Sequence, residues 1–291
     1  MTGTGGTAAG EKTSSVGLDG ELVLDYVRRG SRTVLARSRS RSPWHLSPSM
    51  ALDETGSACT FLLNPSGGLV GGDRLSLCAT LGADAHAILS TPSANRVYRS
   101  LGEPSVQSVE LTVGPGAILE WVPEVTIPFA GSRYRQTIHA ALAPGATIVI
   151  WDAIASGRIA RGERWSFTEL SNEIRITTAS GGSLLERGCL TPTSNEDGVG
   201  LAGGWDYVAS LYLVNDQAGA EGWERMEESL SGVLADCSER VLGGVSQPAV
   251  PGVAVKVLAR SAPDLDAVWQ ALWSVIRGQL WGFQVPALRR Y

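Results

Sequence analysis

Three short segments decide the fold: Ala85-His86-Ala87-Ile88-Leu89-Ser90-Thr91-Pro92, Ala117-Ile118-Leu119-Glu120-Trp121-Val122-Pro123-Glu124 and Ala146-Thr147-Ile148-Val149-Ile150-Trp151-Asp152-Ala153. Each follows a small glycine-containing step, namely Leu81-Gly82-Ala83, Pro115-Gly116-Ala117 and Pro144-Gly145-Ala146. Each is followed by an arginine-bearing element: Val97-Tyr98-Arg99, Arg133-Tyr134-Arg135, and Arg158 to Arg161. A fainter fourth copy starts at Gly182, with Ser183-Leu184-Leu185-Glu186-Arg187-Gly188. A period of roughly 30 residues in strand-rich sequence predicts stacked coils of a sheet superhelix, each covering the apolar face of the next.

The neighbouring sequence agrees. Leu22, Leu24 and Tyr26; Leu75, Leu77, Ala79 and Leu81; Val109, Leu111 and Val113; and Ile174 and Ile176 alternate with polar residues between Gly and Pro breaks, the period of half-buried strands. Two helices are expected near the C-terminal end. The first spans about 221–242, with Trp223, Met226, Leu230, Val233, Leu234, Cys237 and Val241 at helical spacing before Gly243-Gly244. The second spans about 262–281, opened by Ser261-x-x-Asp264 around Pro263 and closed by Gly278 or Gly282. The expected fold is therefore mainly β, a β-solenoid-like stacked-sheet body with two helices. Residues 1–17, rich in Gly, Thr, Ser and Ala, read as a flexible tail, and 18–291 as a single β-rich domain.

Composition narrows the function. The 291 residues carry 24 basic and 29 acidic side chains, net charge -5, which disfavours a general nucleic-acid binder. Gly, at 35 residues, is well above the average of about 7%, as many tight turns require. Arg28, Arg29, Arg32, Arg37, Arg39 and Arg41 form a basic stretch that reads as a solvated edge or protein contact. The N-terminus lacks an apolar signal region and no apolar run approaches a membrane span, so the cytoplasm is the expected compartment.

The chemistry-bearing residues are sparse. His45, His86 and His139 and Cys59, Cys78, Cys189 and Cys237 form no zinc or nickel motif. His86 and His139 read as structural. Asn64-Pro65-Ser66-Gly67-Gly68-Leu69-Val70-Gly71-Gly72-Asp73-Arg74 lacks the G-K-[ST] of a phosphate loop and reads as a tight crossover, either purely structural or one that also aims Asp73 at a functional interface. A hairpin about this loop would bring Cys59 and Cys78 together. Glu120, Glu124, Asp152, Glu163 and Glu186 fall within or beside apolar strands, where a charge must be paired or face a wet cavity. The candidate partners are Arg99, Arg133, Arg135, Arg158 and Arg161. Buried ion pairs and a polar internal passage are the two readings.

Four blocks carry a resemblance: residues 64–73 (NPSGGLVGGD), 91–100 (TPSANRVYRS), 119–133 (LEWVPEVTIPFAGSR) and 151–163 (WDAIASGRIARGE). In order and spacing they resemble the urease accessory protein UreD (UreH) family. That resemblance implies a nonenzymatic maturation factor that binds apo-urease and UreF, recruits UreG through UreF, and assists Ni2+ delivery to urease. It implies no tightly bound cofactor, Ni2+ only in transit, no nucleic acid or membrane partner, and room for a dimer within the accessory complex. The expected passage residues are Asp73, Asn95, Glu120, Glu124, Asp152, Glu163 and Glu186, with Arg99, Arg133 and Arg161 as ion-pair partners. The expected partner-binding residues are Trp269, Trp273, Trp281, Arg289, Arg290 and Tyr291. Oxygen ligands suit a cation passed along without being trapped. The alternative is a β-solenoid carbohydrate-active enzyme using paired carboxylates.

Overall fold

The computed structural model describes residues 17–192, 204–217 and 219–288. The tail expected at 1–17 lies almost entirely outside them. The chain is mainly β, 47% strand against 15% helix. It begins with β1 (Asp19–Arg29), β2 (Arg32–Arg41), β3 (His45–Leu46) and β4 (Ala58–Leu63). The stacked body follows as β5 (Arg74–Leu81), β6 (His86–Ser90), β7 (Asn95–Val97), β8 (Ser105–Val113), β9 (Ile118–Trp121), β10 (Thr126–Pro128), β11 (Arg133–Leu142), β12 (Thr147–Ala155) and β13 (Glu169–Thr177). It closes with β14 (Ser183–Leu190), β15 (Tyr207–Asn215), α1 (Ala220–Asp236), β16 (Val241–Ser246), β17 (Gly252–Ala259) and α2 (Ala262–Trp281).

Two sheets result. One has seven strands in the order β14-β13-β11-β8-β5-β1-β2; the other runs β16-β17-β15-β12-β9-β6-β4-β3, with β7 and β10 attached off that path. From β4 to β13 the chain alternates between the sheets, and each return lays a strand parallel to the one a coil earlier. This is the stacked-coil body that the repeat predicts. The fainter fourth copy departs from it, because Thr178 to Gly182 turns the chain back and β14 pairs antiparallel to β13.

The seven-stranded sheet shows a period of two. In β5, Leu75, Leu77, Ala79 and Leu81 are at most 2% exposed and point between the sheets, while Arg74, Ser76, Cys78 and Thr80 face solvent. The other sheet is covered twice. Ile148 and Ile150 of β12 join the core between the sheets, whereas Val149, Trp151 and Ala153 join a second core under the helices. A strand buried on both faces reads as a continuous apolar run, as Ile148 to Trp151 does.

Stacked four-residue turns set the register on one side: 82–85, 114–117 and 143–146. Asp84 N–H donates to Pro115 O and Gly116 N–H to Pro144 O, linking successive turns. The left-handed position is held by Asp84 (φ 54°), Gly116 (φ 65°) and Gly145 (φ 73°). The first copy is therefore matched through Asp84-Ala85, two residues after the Gly82-Ala83 that the sequence suggests. An aspartate tolerates left-handed backbone, which is why it stands where the next coils use glycine.

Two further expectations are corrected. The Gly-rich segment is a crossover between sheets, with Gly67 and Gly72 at φ 78° and 92°. It carries the chain from β4 to β5, so Cys59 is buried in one sheet and Cys78 exposed on the other, both as free thiols. The first helix ends at Asp236, and Gly243-Gly244 lie within β16 rather than terminating it. A Cβ on Gly243 would stand 2.7 Å from Lys256 O and 3.2 Å from Leu234, so the glycine lets α1 approach the sheet. The second helix is as expected. The Ser261 side chain accepts from Asp264 N–H at 3.3 Å, its hydroxyl donates to Asp264 Oδ2 at 2.6 Å, and Gly282 caps the end.

The turn stack yields a test. A Cβ on Gly116 would stand 2.6 Å from Asp84 Oδ1 at a φ that favours glycine, so Gly116→Ala is expected to cost about 1–2 kcal/mol in urea unfolding. Asp84→Gly removes the clashing oxygen, and the double variant is expected to lose less than Gly116→Ala alone. Strictly additive losses would show that the turns do not press on each other.

Candidate functional site: a polar cavity between the sheets

Along β11, Tyr134, Gln136, Ile138, Ala140 and Leu142 point between the sheets, so two polar side chains interrupt an otherwise apolar face. Opposite them, Asp152 is the inward residue of β12 after Ile148 and Ile150. A cavity of about 300 Å3 reaches Gln136 and Asp152 from a mouth formed by the 64–68 and 91–96 segments. Trp44, Leu75, Gln107, Trp121, Glu124 and Thr126 also line it.

Hydrogen bonds make these residues one chain. Asn95 Nδ2 donates to Tyr134 Oη at 3.4 Å, and Tyr134 Oη donates to Gln136 Oε1 at 3.0 Å. Gln136 Nε2 donates to Asp152 Oδ1 at 2.8 Å and Asn172 Nδ2 to Asp152 Oδ2 at 2.7 Å. Burial raises the Asp152 carboxyl above the ordinary aspartate value, against the two amides and the Lys256 field, which favour its charge. Lys256 stands in the same row, since Asp152 pairs with Ser210 and Ser210 with Lys256. Its ammonium donates to Glu186 Oε1 (2.6 Å), Ser210 Oγ (2.8 Å) and Tyr212 Oη (2.7 Å). A polar seam thus runs from the cavity mouth past Asp152 to Glu186 at the sheet edge.

The expected passage residues separate into groups. Asn95, Glu124 and Asp152 line the cavity, and Glu186 ends the seam. Asp73 is 2% exposed and accepts N–H bonds from Leu18 and Val70, both at 2.9 Å, which closes the Gly-rich crossover. Glu163 accepts from Arg158 and from Ala130 N–H, and the Arg158 bonds hold its carboxyl below the ordinary glutamate value. Glu120 faces the opposite way, under α2, at 0% exposure. It accepts from His86 Nε2 (2.7 Å), Trp273 Nε1 (2.5 Å) and Arg277 Nη1 (2.5 Å), while Arg277 Nη2 reaches Asp53 at 2.6 Å.

Arg99, Arg133 and Arg161 are exposed and form no ion pair within 4 Å among the described residues. The carboxylates find other partners: Arg158, Arg277, Lys256 and side-chain amides. Trp269 and Trp273, expected to meet a partner, are buried at 1% and 0% in the chain's own second core, stacked at 5.0 Å with Trp151 continuing the stack. Trp281 packs its ring 5.6 Å from that of His86. Arg289, Arg290 and Tyr291 lie outside the described residues.

Sequence reasoning missed Tyr134, Gln136, Asn172, Lys256 and Arg277. The signals were present: Gln136 breaks an alternating apolar face, Lys256 is one of two lysines, and Arg277 continues the Trp269, Trp273 spacing by four. The cavity lining is mostly apolar, with Asn95, Gln107, Glu124, Gln136 and Asp152 among its polar side chains, and contains neither His nor Cys. Burial pushes the Cys59 thiol up to about 12, so it is a neutral thiol at neutral pH.

The UreD urease accessory protein model matches residues 18–290. The chain belongs to the UreD urease accessory protein family. Urease accessory protein UreD of Haloarcula marismortui is 34% identical over 280 residues, 95% of this chain and 92% of the relative. That of Paracidovorax citrulli is 31% identical over 266 residues, 90% of this chain and 95% of the relative. That of Alkalilimnicola ehrlichii reaches 39% over 174 residues, 60% and 59% of the two chains. The likeness read from the four motif blocks therefore holds, and UreD membership gives the chain a role in urease maturation. No helix among the described residues is long and apolar enough to cross a membrane.

Two outcomes test these placements. Because folding raises the Asp152 pKa, its stabilising contribution is full below the ordinary value of about 3.9 and is lost as pH rises through the raised one. Thermal melts should show Asp152→Asn gaining on the wild type as pH rises from acid to neutral; a pH-independent difference would place Asp152 in water. Glu120→Gln leaves Arg277 short of its buried counter-charge and is expected to cost about 3–5 kcal/mol in urea unfolding. A loss under 1 kcal/mol would show that Asp53 alone satisfies the guanidinium.

Proposed function

We propose that this UreD-family chain is a nonenzymatic maturation factor that binds apo-urease and UreF, meets UreG through UreF, and hands Ni2+ onward through the cavity between its sheets. One observation carries the reading: in a mostly apolar cavity a buried carboxylate, Asp152, stands with the side-chain amides of Asn95 and Gln136 and with no His or Cys. Such oxygen groups replace part of a cation's hydration shell without the strong, slow-release bonds of a thiolate or imidazole cage. Beyond Asp152 the row is held by the Lys256–Glu186 ion pair, which a cation leaving on that side has to displace. Nickel binding to the isolated protein is therefore weak and carboxylate-dependent.

The paired-carboxylate enzyme reading is less well supported. Both Asp152 oxygens accept from amide side chains, so the carboxyl is committed to Gln136 and Asn172 rather than to a second acid across a scissile bond. The cytoplasm and a dimeric accessory complex remain part of the proposal.

The test is single substitution followed by three measurements: melting temperature, UreF pull-down and nickel content of urease matured with the variant. Asp152→Asn and Glu186→Gln are expected to lower nickel content while keeping UreF binding, with Glu186→Gln also keeping the melting temperature because Glu186 is partly exposed. Asp73→Asn removes a buried acceptor of two backbone N–H groups and is expected to lower the melting temperature first. Unchanged nickel content with Asp152→Asn would end the passage reading.

A further inference from the structure

β2 is the terminal strand of the seven-stranded sheet and pairs only with β1. Its outer edge is tied at Thr33, whose N–H donates to Gly56 O, and Arg41 O accepts from Trp44 N–H. Among the described residues, no segment pairs with that edge from Val34 to Ser40. From Ala36 to Arg41 every residue is exposed. An open row of N–H and C=O groups is a template for another strand.

The side chains say which strand. Arg37, Arg39 and Arg41 alternate and lie opposite Asp25, Val23 and Glu21 of β1, so the three share the solvent face, about 6.8 Å apart. Arg39 bonds Glu21 at 2.7 Å but stays 62% exposed, and Arg41 Nε donates to Asp19 O. Exposed pairs of this kind contribute little and exchange readily with a partner's carboxylate. No acid lies between Arg28 and Leu52, in a chain whose net charge is -5. Beside the inner half of β2 is a groove of about 410 Å3, with Val34 and Leu35 on one wall and Met50 and Ala51 on the other. Met50 is 38% exposed there.

We propose that the open edge of β2 and this groove together dock an acidic, extended peptide segment of a partner protein, which adds to the seven-stranded sheet as an eighth strand. The main chain supplies ladder bonds, the groove takes an apolar anchor, and carboxylates at every second position meet the arginine row. A second copy of this chain fits less well, because two β2 edges would set arginines opposite arginines. Single-stranded nucleic acid fits less well too, since Trp44 is only 5% exposed and offers no stacking platform. The site is separate from the cavity and does not depend on nickel transfer.

The probe is a labelled synthetic peptide with one leucine followed by glutamates at alternate positions and threonines between them, titrated into the full chain by fluorescence anisotropy. Saturable binding is expected, weakened at least about tenfold in Arg37→Glu/Arg39→Glu/Arg41→Glu and less so in Met50→Asp. Amide hydrogen exchange at 34–40 should slow with peptide bound, and a peptide with proline in place of the threonines should bind far more weakly. All substituted side chains are exposed, and circular dichroism verifies that the variants fold. The idea is overturned by equal affinity for the triple variant, by a proline peptide that binds as well, or by unchanged exchange at 34–40. It is equally overturned by an oligonucleotide that binds more tightly than the peptide, or by a concentration-dependent dimer that the triple variant loses.

Discussion

The ten-stranded sheet has to be covered on both faces, and most of the architecture follows from that requirement. Its central strands are apolar on each side, so one face meets the seven-stranded sheet and the other needs α1 and α2. Burying a large apolar side chain contributes about 1.5–3 kcal/mol, and Trp223, Met226, Leu230, Trp269, Leu272 and Trp273 all lie in that outer core. The seven-stranded sheet has no such demand. Its outer positions on β5 and β8 are mostly Ser, Thr and charged residues, with Cys78 and Val106, and no helix among the described residues covers them.

Two carboxylates on adjacent strands show how environment divides similar groups. Glu120 on β9 points to the helices and is matched by Arg277, a full counter-charge, together with His86 and Trp273. Asp152 on β12 points between the sheets and is matched by neutral amides beside a cavity. The first clamps a helix to a sheet. The second has no counter-charge in contact, and its burial disfavours the ionised form.

Much of this was legible in the chain. The alternation of Leu75 to Leu81 and the apolar run of β12 announced strands of two kinds, and Ser261, Pro263 and Gly282 bounded α2. The errors came where tertiary contact overrides local preference. Gly243-Gly244 reads as a helix stop, yet pairing with β17 and the approach of Leu234 make it strand. Cys59 and Cys78 sit symmetrically about a turn-rich loop, yet that loop changes sheets, which no spacing reveals. Trp269 and Trp273 read as partner-seeking because the sheet that buries them is built from residues far earlier in the chain. For the same reason, ion-pair partners on other strands and helices could not be matched to their acids by proximity in sequence.

The coils join differently on their two sides. The turns 82–85, 114–117 and 143–146 are equal in length and bonded to one another, whereas the arcs 91–104, 122–132 and 156–168 differ in length. The cavity is lined from the first two of those arcs and from the Gly-rich crossover, not from the equal turns. Insertion or deletion in an arc outside β7 and β10 therefore reshapes the opening while the ladders of the main strands keep their register. The fold thus separates a spine of equal, mutually bonded turns from an aperture built of unequal arcs, so the width of the opening and the register of the stack are set by different residues.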